Sequence, residues 1–273
     1  MTVVSPLKFV VPFVLVLATA QAELIHDNGP PAPAEDGWEM TNWVEADDFT
    51  LEAGSRILAI KFWDFEIPGS FGGSVSWRIY SNASSNSPGA RIASGTSSNL
   101  THAATGAVAF GPYREFVTTL QIVPVDLQRG IYWLALQIPA PANNPSRVFY
   151  WESTLRAGRF ASHNRPVLAD GTEGLWRTNE FPSYPSELAF QIEGIRAPRV
   201  TSFTVGNGIP KLRFTTTANQ NYRVEFKNNL LEPAWSPLPG WENVAGNGQE
   251  IVVEDSDPGL RTQSKRFYRA VLL

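Results

Sequence analysis

The sequence predicts an all-β protein, in which a jelly-roll-like antiparallel β-sandwich is followed by a smaller β-sandwich domain. Three observations lead to this prediction. Apolar and polar residues alternate in many short segments, and clusters of Gly, Pro, Asn and Ser separate these segments. After the N-terminal leader, no long segment carries the 3.6-residue apolar period of an amphipathic helix. Short strands with turn-forming residues between them are typical of sandwiches and jelly rolls.

Residues 1–22 have the features of a signal peptide. Lys8 is the only charged residue, residues 9–18 are apolar, and small side chains stand at the −1 and −3 positions before Glu23. The apolar stretch is shorter than the roughly 20 residues that span a bilayer. We therefore expect cleavage between Ala22 and Glu23 and a secreted, periplasmic or cell-surface protein. The alternative, an uncleaved anchor, is disfavoured because a proline interrupts the apolar run.

Composition excludes several classes of function. The chain has no cysteine, which excludes disulfides, thiolate metal sites and a lipidated N-terminal cysteine. A formal net charge of −4 gives no electrostatic attraction to the phosphate backbone of a nucleic acid, so no nucleic-acid partner is expected. No later stretch approaches spanning length, so the mature chain is expected to have no membrane span.

The expected domains follow one another along the chain. Residues 23–47 are predicted to be an extended leader, because the Gly-Pro-Pro-Ala-Pro-Ala run at 29–34 cannot pair in the centre of a sheet. Residues 48–195 are predicted to form the jelly-roll-like sandwich. Residues 196–273 are predicted to form the smaller sandwich.

Two segments of the larger domain, residues 57–65 and 131–138, are apolar on both faces. Such strands need cover on each side, so both are predicted to be central. In the smaller domain, Asn207-Gly208 and Asn247-Gly248 predict tight turns, because both residue types adopt positive φ readily.

Four segments of the smaller domain form a recognisable pattern. They are Tyr222-Arg223-Val224-Glu225, Trp235, Gly246-Asn247-Gly248 and Arg266-Phe267-Tyr268-Arg269. The pattern resembles that of small β-sandwich modules at the ends of many secreted proteins of environmental bacteria. Related proteins often end in a sorting helix with a basic tail, whereas residues 270–273 look like a strand, so anchoring by that route is not expected.

The larger domain is similar in layout to jelly-roll modules of exported bacterial surface proteins. The similar segments are residues 48–51, 77–81, 130–134 and 188–194. The two resemblances imply a fold and an exported location, and they carry no catalytic residues over to this chain.

No residue is assigned a catalytic role from the sequence. The histidines His26, His102 and His163 lack ligand spacing and are expected to be solvated in the leader and in loops. Glu152, Glu173 and Glu187 are candidates for a carboxylate-dependent glycoside hydrolase, which needs two carboxyl groups about 5–10 Å apart. Exposed carboxylates are so common that surface solvation is the favoured interpretation.

Calcium is the single cofactor that the sequence suggests. Asp47-Asp48 and Asp255-Ser256-Asp257 could donate oxygens to a structural Ca²⁺. Neither fits the twelve-residue calcium loop, and the second segment fits a turn equally well.

The tryptophan content is the most unusual feature of the composition, with 9 residues. Trp38, Trp43, Trp151 and Trp176 are predicted at strand ends or in loops, where they could stack on the apolar faces of sugar rings. The alternative is that these rings close the ends of the sandwiches or fill a domain interface.

The first functional hypothesis is therefore an exported, non-catalytic β-sandwich protein that binds polysaccharide or extracellular matrix through exposed aromatic rings. The second is a structural or adhesive cell-surface component without a small-ligand site. The third is the carboxylate-dependent hydrolase, which requires two facing Asp or Glu side chains in a concave groove.

Overall fold

The computed structural model describes residues 22–32, 36–108, 110–155, 161–168, 172–179, 187–257, 259 and 265–273. The expected signal peptide lies outside the described residues, except for Ala22. The described chain consists of strands in several antiparallel sheets, which confirms the predicted all-β sandwich class. Within this described part there is no helix with the length and apolarity needed to cross a membrane.

The chain divides into two compact units, between Thr201 and Ser202. The strands of the first unit are β1 (Glu23–Asp27), β2 (Gly37–Glu39), β3 (Trp43–Leu51), β4 (Ser55–Glu66), β5 (Val75–Asn82), β6 (Pro88–Ser97), β7 (Leu100–Val108), β8 (Arg114–Leu127), β9 (Gly130–Gln137), β10 (Tyr150–Thr154), β11 (His163–Pro166), β12 (Arg177–Thr178), β13 (Glu187–Leu188) and β14 (Phe190–Arg196).

These strands form two sheets. The larger sheet has the order β1-β14-β4-β10-β13, with β8 on the other edge of β4, β7 beyond β8, and β2 beside β10. The smaller sheet has the order β12-β11-β3-β9-β5-β6. Both strands that were predicted to be central are central, since β4 pairs with β8, β10 and β14, and β9 lies between β3 and β5.

The core lies between the two sheets and draws on the inward face of each. Phe62, Trp151 and Phe190 come from the larger sheet, and Phe49 and Leu134 come from the smaller one. All five are fully buried. Burial of large apolar side chains from both sheets is what holds a sandwich together in the absence of disulfides.

The segment expected to be an extended leader contributes strands to both sheets. β1 pairs with β14, and β3 lies between β9 and β11. β3 was not recognised as a buried strand in the sequence because three acidic residues, Glu45, Asp47 and Asp48, interrupt its apolar residues. All three side chains are nevertheless buried. Hydrogen bonds to Asn179 and Asn28 compensate the burial of Glu45 and Asp47.

The second unit contains β15 (Val200–Gly206), β16 (Ile209–Thr215), β17 (Asn221–Lys227), β18 (Ser236–Pro237), β19 (Val244–Ala245), β20 (Glu250–Glu254) and β21 (Phe267–Leu272). One sheet has the order β15-β16-β20, and in the other β17 pairs with β18, β19 and β21. Its core contains Leu212, Phe214, Tyr222, Val224, Leu238 and Val253.

The first predicted Asn-Gly turn is a tight hairpin. Asn207 and Gly208 have φ values of 53° and 75° between β15 and β16, the backbone of a two-residue turn. The second differs, since at Asn247-Gly248 only the glycine has positive φ, and the pair connects β19 to a strand of the other sheet. Gly246 is required for a different reason, because a Cβ there would lie 2.3 Å from the carbonyl oxygen of Thr217.

Two residues of the sequence pattern, Arg266 and Tyr268, contact the segment Asp255–Asp257. Arg266 donates to both Asp255 and Asp257 and lies over the ring of Phe226. The hydroxyl of Tyr268 donates to Asp255 over 2.7 Å. The guanidinium of Arg266 therefore lies between the two aspartates for which the sequence suggested Ca²⁺.

Candidate binding pocket

The ends of β4, β8 and β10 bring three side chains to one face of the larger sheet. Phe65 of β4 is paired with Glu115 of β8 on one side and with Tyr150 of β10 on the other. Directly paired residues share a face, and so does a residue two positions further along a strand. Glu115, Phe65, Tyr150 and Glu152 therefore face the side opposite to the core-facing Phe62.

A cavity of about 240 Å³ opens at this face. Among the described residues, its polar lining consists of Glu115 and Glu152. The apolar walls are Pro31, Ala32, Phe65, Ala107 and Val108. Two carboxyl groups thus stand in a largely apolar concave site, an arrangement typical of ligand pockets with a few orienting polar groups.

Glu152 is the most unusual group in this cavity. Its side chain is 2% exposed, and its Oε2 has no hydrogen-bond partner. Burial raises the pKa of Glu152 to about 9, and the neighbouring carboxyl groups of Glu115 and Asp64 add to that rise. Glu115 lies within hydrogen-bonding reach of Glu152, and Glu152 keeps its proton at neutral pH.

An aromatic cluster adjoins the pocket through Phe65. The ring centroid of Phe110 lies 6.1 Å from that of Phe65, 4.7 Å from that of Tyr113 and 5.7 Å from that of Tyr150. Phe110 is 39% exposed, and the two tyrosines are half-buried. The cluster offers ring surfaces to solvent beside the two carboxyl groups.

A buried polar network lies on the other face of the same strands. His102 is stacked between Phe71 and Phe116, with centroid distances of 4.1 and 4.5 Å. Its Nδ1 lies 2.8 Å from the hydroxyl of Thr118, which donates to Asp64. Burial is the main reason that the pKa of Asp64 rises to about 7.

The structure corrects the expectation that the three histidines are solvated in the leader and in loops. All three lie in strands: His102 in β7, His26 between Phe49 and Phe190, and His163 buried beside Trp133. Aromatic neighbours from distant strands cover each ring, and the polar residues adjacent in sequence gave no sign of them.

The four predicted binding tryptophans do not share one exposed face. Trp151 is completely buried in the core, and its Nε1 donates to the carbonyl of Ala189, so a binding role at the surface is ruled out for this ring. Trp38 is paired with Trp151 across β2 and β10 and packs against the same core. Trp43 lies half-buried in the smaller sheet, at the start of β3.

Trp176 also belongs to the smaller-sheet side. It lies half-buried over the guanidinium of Arg165, at 4.4 Å, with its edge against Tyr80. Glu173 forms ion pairs with Arg165 and Arg78 beneath it. This candidate carboxylate is therefore held in a compact charged cluster that fixes the segment before β12.

The third candidate carboxylate, Glu187, lies in a group of three buried acids with Asp47 and Asp48. Each offers a carboxylate oxygen, and these oxygens lie within 4.8 Å of one another, so the group could hold a cation. Asp47 already accepts hydrogen bonds from Asn28 and from the backbone N–H of Leu188. Burial, followed by the charge of Glu187, raises the pKa of Asp47 well above its ordinary value.

Of the sequence candidates, only Glu152 lines the pocket. Sequence reasoning missed Glu115 and the aromatic residues Phe110, Tyr113 and Tyr150. One pattern could have indicated Glu115, since it alternates with the inward-facing Phe116 and Thr118 and must therefore face away from the core.

Comparisons with protein-family models, with curated proteins and with solved structures give no match for this chain. The function is therefore inferred from the chemistry of the pocket itself.

Proposed function

We propose that this is an exported protein that binds a saccharide in the pocket of Glu115 and Glu152. The observation that carries the proposal is the combination of two carboxyl groups in a concave site with a partly exposed aromatic cluster at its border. The proposal keeps the polysaccharide-binding hypothesis and replaces the four tryptophans by a different set of side chains.

The chemistry of the pocket matches that of a sugar. A saccharide presents hydroxyl groups around its rim and apolar C–H groups on its ring faces. Carboxyl oxygens accept hydrogen bonds from hydroxyls, and the protonated Glu152 also donates one. The walls at Phe65 and Val108, and the ring of Phe110 beside them, offer apolar surface for the C–H faces.

Export is supported by the sequence. Residues 1–22 have the pattern of a signal peptide, and the tail resembles modules of secreted bacterial proteins. A saccharide ligand fits this location, since cell-surface and environmental polysaccharides are the abundant polymers there. A purely structural or adhesive role would leave the buried, unpartnered oxygen of Glu152 without a use.

Binding is favoured over glycoside hydrolysis by the closeness of the two acids. A glycosidase keeps its carboxyl groups about 5–10 Å apart, so that the sugar or a water molecule fits between them. Glu115 and Glu152 are within hydrogen-bonding reach of each other, and Glu152 is protonated at neutral pH. They therefore act on a bound ligand as one recognition group.

The test is titration calorimetry of the full chain against a panel of soluble oligosaccharides. Phe110→Ala is expected to weaken binding about tenfold, because aromatic contacts contribute roughly 0.5–1.5 kcal/mol beyond the buried area. Val123→Ala is the matched control, since Val123 is 75% exposed and lies on β8 outside the pocket lining. Equal affinities of the two variants, or no binding by the unsubstituted protein, would rule the proposal out.

A further inference from the structure

We propose that the pocket selects a saccharide unit that carries a protonated amine. Amino sugars with free amino groups would then bind in preference to N-acetylated or neutral sugars. The inference rests on the proposed function and narrows its ligand to one chemical class. It is carried by an imbalance of charge and of hydrogen-bond donors within the pocket.

The first observation is the absence of a basic partner. Among the described residues, no lysine or arginine forms an ion pair with Glu115 or Glu152. The neighbouring Arg114 directs its Nη1 to the carbonyls of Gly111 and Tyr113 instead. The described part of the chain thus gives this pair of acids no cationic side chain.

The second observation is the buried oxygen of Glu152. The side chain is 98% buried and lines the cavity, and its Oε2 has no hydrogen-bond partner. Buried polar atoms are almost always hydrogen-bonded in folded proteins, so an unpartnered one that faces a cavity indicates a missing partner. Asp64 adds a third acidic group close enough to raise the pKa of Glu152 further.

An ammonium group supplies both the missing positive charge and a hydrogen-bond partner for the buried oxygen of Glu152. It has three N–H donors and a full positive charge, so it can donate to both carboxyl groups. A hydroxyl group has a single donor and no charge. An ammonium group beside Glu152 favours loss of its proton to solvent, since a nearby positive charge stabilises the carboxylate. Hydrogen bonds between ionised partners are roughly twice as strong as those between neutral ones, which gives the amine its advantage.

The walls of the cavity favour an organic amine over a bare metal ion. Within the part of the chain that the structure describes, only Asp47, Asp48 and Glu187 bring three acidic ligand atoms within 4.8 Å of one another. The described lining of the pocket supplies two carboxyl groups, whereas Ca²⁺ takes about 6–8 oxygen ligands. The remaining lining is apolar and suits the C–H surface of a ring.

The size of the cavity also fits this assignment. About 240 Å³ lies just below the roughly 300–1,000 Å³ of sites for drug-sized ligands, so the cavity holds one small ring. A longer saccharide would continue over the exposed ring of Phe110. The amine-bearing unit enters the cavity, and its neighbours rest on the aromatic cluster.

The test compares three oligosaccharides of equal length and linkage, built from glucosamine, N-acetylglucosamine or glucose. Calorimetry near neutral pH and at about 0.15 M salt keeps weak surface attraction screened. The unsubstituted protein is expected to bind the glucosamine form about tenfold or more tightly than the other two, through its charge-assisted hydrogen bonds.

Two variants locate the preference. Glu152→Gln keeps the shape of the protonated side chain and is expected to fold, but it cannot ionise beside an ammonium group, so the three affinities converge. Glu52→Gln removes an equivalent charge at an exposed site, paired loosely with Arg129, and is expected to keep the preference.

Each other outcome has a definite meaning. Equal affinity of the unsubstituted protein for all three saccharides overturns the amine inference and leaves the proposed function standing. No binding of any saccharide overturns both. Equally tight binding of 1,5-diaminopentane overturns the assignment to a sugar, because that amine has no ring.

Discussion

The hydroxyl of Thr118 donates a hydrogen bond of 3.1 Å to Oδ1 of Asp64, and both side chains are completely buried. The second oxygen of Asp64 has no hydrogen-bond partner. This single contact compensates poorly for burial of a charge, which is why the native state holds Asp64 in its protonated form up to a pH of about 7.

A pH-dependent stability follows from Asp64. Its pKa rises from the ordinary value of 3.8 to about 7 in the native state, so the native state binds more protons than the unfolded state between these values. Stability is therefore lost as the pH rises through this range. Asp64→Asn removes the cost of ionising this buried group. Near pH 8 the free energy of unfolding of the variant is expected to exceed that of the unsubstituted protein by up to about 4 kcal/mol, since one pKa unit corresponds to about 1.4 kcal/mol.

Urea unfolding of both proteins at about pH 5 and about pH 8 checks this. The gain from Asp64→Asn should be larger at the higher pH. Asp126→Asn is the control, because Asp126 is exposed and pairs with Arg56 at the surface. A gain that does not grow with pH would contradict the native protonation of Asp64.

Trp151→Ala is expected to lower the free energy of unfolding by about 3–5 kcal/mol, the usual effect of removing a large core ring. Trp151 is 0% exposed and contacts Phe62 and Phe190 edge-on. Trp63→Ala, at a half-buried position on the opposite face of the sheet, should cost much less. Chemical denaturation measures both, and similar losses would argue against a core role specific to Trp151.

Arg266→Ala is expected to destabilise the second unit by about 3–5 kcal/mol, because it leaves the buried carboxylate of Asp255 without its cation. The Arg266 Nη1 lies 2.8 Å from Asp255 Oδ2 and 3.0 Å from Asp257 Oδ2. Hydrogen exchange of the full chain should show the loss of protection within residues 202–273. Arg213→Ala, at an exposed position of β16, serves as the control and should leave protection unchanged.

Gly246→Ala is expected to destabilise the second unit by about 1–3 kcal/mol, the usual range for forced overpacking. The new Cβ would lie 2.3 Å from the Thr217 oxygen and 2.7 Å from Cε2 of Tyr222. Gly206→Ala is the matched control, since a Cβ at Gly206 meets no atom within 4 Å. Thermal unfolding distinguishes them, and equal melting temperatures would show that the backbone at Gly246 adapts freely.

The sequence was informative where the pattern is local. The doubly apolar segments 57–65 and 131–138 are central strands, because a strand without a polar face has to be covered on both sides. The turn at Asn207-Gly208 was equally clear, since its positive φ values are intrinsic to those residues.

The pocket could not be foreseen in this way. Glu115 and Glu152 lie far apart in sequence, and only the register of β8 and β10 against β4 brings them to the same cavity. The buried contact of Asp64 with Thr118 of a neighbouring strand was likewise not foreseen. Tertiary pairing, which a single sequence does not encode locally, decided both cases.

The pairing of β1 with β14 has a consequence for the way in which the first unit assembles. Glu23 and Arg196, 173 positions apart, hydrogen-bond at the edge of the larger sheet. A pairing of such long range stabilises the fold only after a very large loop has closed. The conformational entropy lost in closing that loop slows folding. β1 therefore finds its partner only after the last strand of the first unit, β14, has been synthesised.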